Sequence, residues 1–121
     1  MNATIASRLS GIRDLVRAIR EIASRVLSDF SIEALDAAVR QRAVLLLRLD
    51  SEQEALGIFD ARLWKETEQA REIRSCIDDI RRFDTEATAL VRQRMNDVRR
   101  ELSSLSDSSS AARHYTRNSR F

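Results

Sequence analysis

The residues able to do chemistry in this chain are few and scattered. The single histidine, His114, sits in the last eight residues. The single cysteine, Cys76, has no second thiol, which excludes an internal disulfide and a thiolate zinc cluster. No Ser–His or Cys–His pair is available for nucleophilic catalysis, and no second imidazole for a metal site. Di-iron bundles need Glu-x-x-His on two helices, and the motif is absent. Gly11 and Gly57 stand 46 residues apart, so no glycine-rich loop can cradle a phosphate. Asp78 and Asp79 are neighbours; on a helix they point about 100° apart and cannot share a proton. They read as a solvated acidic patch, and Cys76 beside Ile77 as a small buried hydrophobe. The expectation is a protein that is not an enzyme and uses no metal or cofactor.

Composition names the elements that remain. The 121 residues give room for one compact domain. Pro is absent and Gly occurs twice, where an average chain of this length has about six Pro and about eight Gly. That deficit removes the turn chemistry of sandwiches, barrels and doubly wound sheets. Hydrophobic residues at 43% are too many for a disordered chain. The expected class is all-α: an antiparallel helical bundle of three main helices, the third long, plus a short C-terminal helix.

Formal net charge is +2. Residues 108–121 hold Arg113, Arg117 and Arg120 and no acid, while residues 1–107 hold eighteen basic against nineteen acidic side chains. So balanced a body is no electrostatic trap for nucleic acid. The longest apolar run, Ala43–Leu47, is five residues, too short to enter a bilayer as a span. Residues 1–10 show no apolar signal-peptide core, so the expected location is the cytoplasm.

Ile5, Leu9, Ile12, Val16, Ile19, Ala23, Val26 and Phe30 recur at alternating spacings of 4 and 3, an unbroken heptad stripe that predicts the first helix. Ser28, Asp29 and Ser31 offer caps for a second helix opening at Ile32. Its expected apolar set is Ile32, Leu35, Val39, Leu45, Leu46 and Leu49 beside Ala38, with Arg42 snorkelling from the stripe. The helix is expected to end near Leu49, with Ser51 and Glu54 forming a capping box and Asp60 capping a restart. Phe59 and Trp64 read as core plugs near that break. The third helix is expected from about Ala61 to about Leu105, with Asp84 where the heptad wants an apolar residue. Arg92, Arg94, Arg99 and Arg100, interleaved with Asp97 and Glu101, read as a salt-bridged surface.

Helices one and two are too short to cover all of helix three. The uncovered stripe is met by a partner, by a second copy in a homodimer, or by a folded-back tail. The groove expected to take a partner helix lies between helices two and three: Leu45, Leu49, Ile77, Ile80, Phe83, Ala87 and Leu90. The alternative for all seven is ordinary core. Ser106–Ser110 reads as a hinge, giving a bundle domain over 1–107 and a basic tail or short helix over 108–121. His114 and Tyr115 are the tail's expected regulatory residues, in a detached basic segment that reads as a movable element.

The order of these segments resembles the FliT family of flagellar type III export chaperones. Asp29–Asp50, DFSIEALDAAVRQRAVLLLRLD, resembles the family's second helix, with its acidic turn, spaced Leu, Arg-bearing middle and Leu run ending in Leu-Asp. Ile77–Leu105 resembles the third helix through Phe83-Asp84, Ala89-Leu90 and the Arg-rich turns. Ala111–Tyr115 resembles the family's terminal small-basic-x-Tyr element. The resemblance implies a cytoplasmic chaperone that binds the C-terminal amphipathic helix of the filament-cap protein before export. It also implies contact with components of the export apparatus. A chaperone for hook–filament junction proteins and a structural coiled-coil or dimerisation module without a client are the alternatives.

Overall fold

The computed structural model describes residues 3–119, with side chains described to Ser109 and at Ala112 and Arg113. Three α-helices form, α1 (Ala3–Ser28), α2 (Ile32–Leu56) and α3 (Glu68–Ser119), with one 3-10 turn at Ala61–Leu63. No strand occurs among the described residues. By its contacts the chain forms two units, Met1–Ala87 and Thr88–Phe121. The boundary expected at 107 lies inside the second unit.

The first unit holds the core. Ile5, Leu9, Ile12, Val16, Ile19, Ala23 and Val26 are all buried. The heptad stripe of α1 is therefore the spine of the bundle. Ser31 caps α2, its hydroxyl accepting the Ala34 N–H at 3.0 Å. Near the turn, Val26 and Ala38 face one another across a shared cleft; at the far ends of the same two helices Arg8 donates to Glu52 at 3.1 Å. α3 meets α1 through Arg13 and Arg17 on Glu72 and Arg20 on Asp79. Ala70, Cys76 and Ile80 complete the buried set.

Four expectations need correction. α2 does not end near Leu49, and Ser51 is not a cap: the helix runs on to Leu56. Nothing before Gly57 breaks it, Glu52 is held by Arg8, and Leu56 is drawn into the core. Second, α3 starts at Glu68, not near Ala61. Asp60 caps only the 3-10 turn, accepting from the Arg62 N–H at 3.0 Å. Phe59 and Trp64 pack against the core from this connection, and Thr67 caps α3 by accepting the Ala70 N–H at 3.2 Å.

Third, the inward face of α2 is Leu35, Ala38, Arg42, Leu45, Leu49, Glu52 and Leu56, while Ile32, Val39 and Leu46 are exposed. α2 is apolar on two faces, and the face with two charges in it is the one that packs. Fourth, no separate C-terminal helix forms: Ser106–Ser110 is helical within α3. Serine gives up at most about 0.7 kcal/mol per residue against alanine, and a helix already nucleated extends through it where neither Gly nor Pro intervenes.

Candidate partner-binding surface

Two charged residues sit where heptads want apolar ones, Arg42 on α2 and Asp84 on α3, and they pair with each other. The guanidinium grips the carboxylate with two parallel hydrogen bonds, Nη1 to Oδ1 at 2.8 Å and Nη2 to Oδ2 at 2.9 Å. Arg42 does not snorkel to water; it points along the packed face to α3. The Asp84 hydrogen bond and charge hold the Arg42 pKa above its ordinary value despite partial burial. A two-pronged bond of this kind fixes which turn of α2 lies beside which turn of α3. Arg8 and Glu52 do the same between α1 and α2.

The seven residues of the expected groove divide. Leu45, Leu49 and Ile77 are half-buried against the core, and Ile80 at 8% exposure is part of it. Phe83 and Ala87 are half-buried. Phe83 lines a cleft with Arg17, Ala18, Ser24 and Asp79, on the side of α3 that meets α1, and the Arg82 guanidinium lies 5.3 Å from its ring centre. Leu90 belongs to the second unit and is half-buried there. The side chains of His114 and Tyr115 lie outside those described.

Open apolar surface appears in two other places. On the second unit, Val91, Met95, Val98, Leu102 and Leu105 repeat at spacings of 4, 3, 4 and 3, and the last four are exposed, Leu105 to 66%. That is a coiled-coil seam without a partner helix in this chain's described contacts. On the first unit, the outer face of α2 shows Ile32, Val39 and Leu46, with Leu47 beside them at 73% exposure. The seam was legible as part of the α3 stripe. The α2 face was legible only as apolar content, because a helix with two stripes does not say which one packs.

Leu9, Ile12, Leu56, Trp64, Ala70 and Ile73, with Gln53 and Arg74, line a mostly apolar cavity of about 300 Å³, and the shielded Trp64 Nε1–H has no hydrogen-bond partner. Cys76 is a buried free thiol. Asp79 is tied to Arg20 and Arg82. Among the described residues no group of three or more His, Cys, Asp or Glu could hold a metal ion. No helix there is long and apolar enough to cross a membrane.

No protein-family model, no curated protein and no solved structure matches this chain.

Proposed function

We propose that this protein is a cytoplasmic, non-enzymatic export chaperone of the FliT type, which binds an amphipathic C-terminal helix of the flagellar filament-cap protein and keeps it from assembling early. The observation that carries this reading is the exposed seam Met95, Val98, Leu102 and Leu105. A client helix laid along it would bury apolar surface worth about 25 cal/mol per Å². The expected groove keeps only its α3 side, where Phe83, Ala87 and Leu90 are half-buried. The three helices are read as an antiparallel bundle, with α2 returning beside α1 from the turn to the Arg8–Glu52 pair and α3 running back past Arg13, Arg17 and Arg20. Order and spacing of the FliT-like segments support the client class; junction-protein clients fit the same geometry.

Calorimetric titration with a C-terminal fragment of the filament-cap protein from the same genome tests the reading. A stoichiometric complex, micromolar or tighter, with a negative heat-capacity change supports it. Loss of that binding in Val98→Asp with Leu102→Asp, with helicity retained, places the client on the seam. No heat and no co-elution, with residues 108–121 deleted as well, sinks it. The tail's regulatory role makes a separate demand: deleting Ser108–Phe121 raises client affinity, and unchanged or weaker binding removes the tail from the account.

A second reading, a dimerisation module without a client, is favoured by the same strict heptad spacing.

A further inference from the structure

The open seam of the second unit has charged edges. Val91, Met95, Val98, Leu102 and Leu105 take the a and d positions of a heptad, with Thr88 one step before them. The charged residues flanking this line are Arg94 and Glu101 along one edge and Arg92 and Arg99 along the other. All four are exposed. Glu101 has no basic residue three or four positions away on its own helix; those places hold Asp97, Val98, Ser104 and Leu105. Asp97, one turn back, repels it. A cation to pair with Glu101 comes best from another helix.

Two seams can meet in three ways that keep at least four apolar layers, and the edges separate them. In parallel, Arg94 faces Arg99 of the other copy, twice by symmetry, and Glu101 faces only Ser106. Antiparallel, with Met95 on Leu105 and Val98 on Leu102, Glu101 faces Glu101 and Arg99 faces Arg99. Antiparallel, with Val91 on Leu102 and Met95 on Val98, Arg94 faces Glu101 twice. The conflict left in that register is Arg92 against Arg99, twice, on the opposite edge. Of the three, only this register forms an ion pair across the seam, and it gives Glu101 the cation its own helix lacks. Leu105 then lies over Thr88 at each end.

We propose that two copies of this chain pair through the second unit as an antiparallel coiled coil, Val91 on Leu102 and Met95 on Val98 of the other copy, with Arg94–Glu101 ion pairs along one edge. Each contact is made twice about a two-fold axis, so the assembly closes at a dimer. This pairing rests on the dimerisation reading of the seam and adds to it a direction and a register. A client helix and a second copy would compete for the same line.

Sedimentation velocity of the full chain over a concentration series at low salt tests it, because exposed edge charges are screened by salt. The expected result is a reversible monomer–dimer equilibrium. Arg94→Glu weakens it about tenfold or more, since two ion pairs become two repulsions. Arg94→Glu with Glu101→Arg restores it to within about threefold, because the charges are exchanged across the contact. Arg92→Glu tightens it about threefold or more, by turning the Arg92–Arg99 conflict into attraction. A parallel pair gives a different pattern: Arg94→Glu tightens it, and Arg92→Glu, which there faces Ala87, leaves it unchanged. Circular dichroism of each variant shows retained helicity, since all three positions are exposed. A dimer tightened by Arg94→Glu, or indifferent to it, overturns the proposal and leaves the dimerisation reading standing. A monomer at every concentration overturns both.

Discussion

The two units of this chain use the same spacing to opposite ends. In residues 1–87 the 3–4 repeat of α1 is covered on its whole length, and every buried residue among those described lies in this unit. Ion pairs between helices join α1 to α2, α1 to α3 and α2 to α3. In residues 88–121 the repeat continues through Val98, Leu102 and Leu105, but these side chains remain exposed. Periodicity tells which side chains share a face; it does not tell what covers the face. A stripe that is covered within its chain is a core, and one that is not is an open apolar surface.

Truncating one leucine in each unit should break this comparison if it is wrong. Leu9 is fully buried, so Leu9→Ala is expected to cost about 2–5 kcal/mol. Leu102 is 61% exposed, and Leu102→Ala in the monomer is expected to stay within about 0.5 kcal/mol of the parent. Urea unfolding of both reads the difference directly. Equal losses would mean that the second unit has a core of its own.

A smaller effect sharpens what holds the first unit in register. Arg42→Leu leaves the Asp84 carboxylate without its two-pronged partner and is expected to destabilise by about 1–2 kcal/mol, a figure already reduced for partial exposure. Arg42→Leu with Asp84→Leu is expected to recover most of that loss, because two apolar residues then stand at two heptad positions. The double variant failing to recover would show that the pair contributes net stability and not only register.

The smallest effect sits in the connection between α2 and α3. Hydrogen bonds from the Arg62 side chain and backbone hold the Asp60 carboxyl below its usual pKa. A carboxyl lowered on folding stabilises above its unfolded pKa, and that contribution fades as pH falls through the folded value. Asp60→Asn is therefore expected to lose that small contribution at neutral pH and to match the parent at the lowest pH, which slightly flattens the acid limb of the stability profile. A flattened limb of the same size in Asp14→Asn would show that the effect is general and not local to Asp60.

α1 could be read from the sequence almost residue by residue, because one uninterrupted stripe of Ile, Leu and Val leaves a single choice of inner face. α2 could not. Its Ile32–Val39–Leu46 face is more apolar than the face that packs, and only the positions of Asp84 and Arg8 on other helices make Arg42 and Glu52 acceptable inside. Pairing of that kind is tertiary information. The break between α2 and α3 was misplaced for a related reason: Ser51 and Glu54 have the chemistry of a cap, but Leu56 and Glu52 already had partners one turn further on. Of the seven groove residues, the spacing put Phe83, Ala87 and Leu90 on one face of α3, beside the heptad line of the seam. It gave no means to see that Leu45, Leu49, Ile77 and Ile80 pack against α1.

The contrast between a covered and an uncovered stripe is tested most directly by hydrogen exchange along the chain, measured in dilute monomer. Amides of residues 5–26 should exchange only through global unfolding, and those of 91–105 through far cheaper local opening. Raising the concentration, or adding the filament-cap fragment, should slow 91–105 and leave 5–26 unchanged. Protection of 91–105 equal to that of α1 in the dilute monomer would contradict the account.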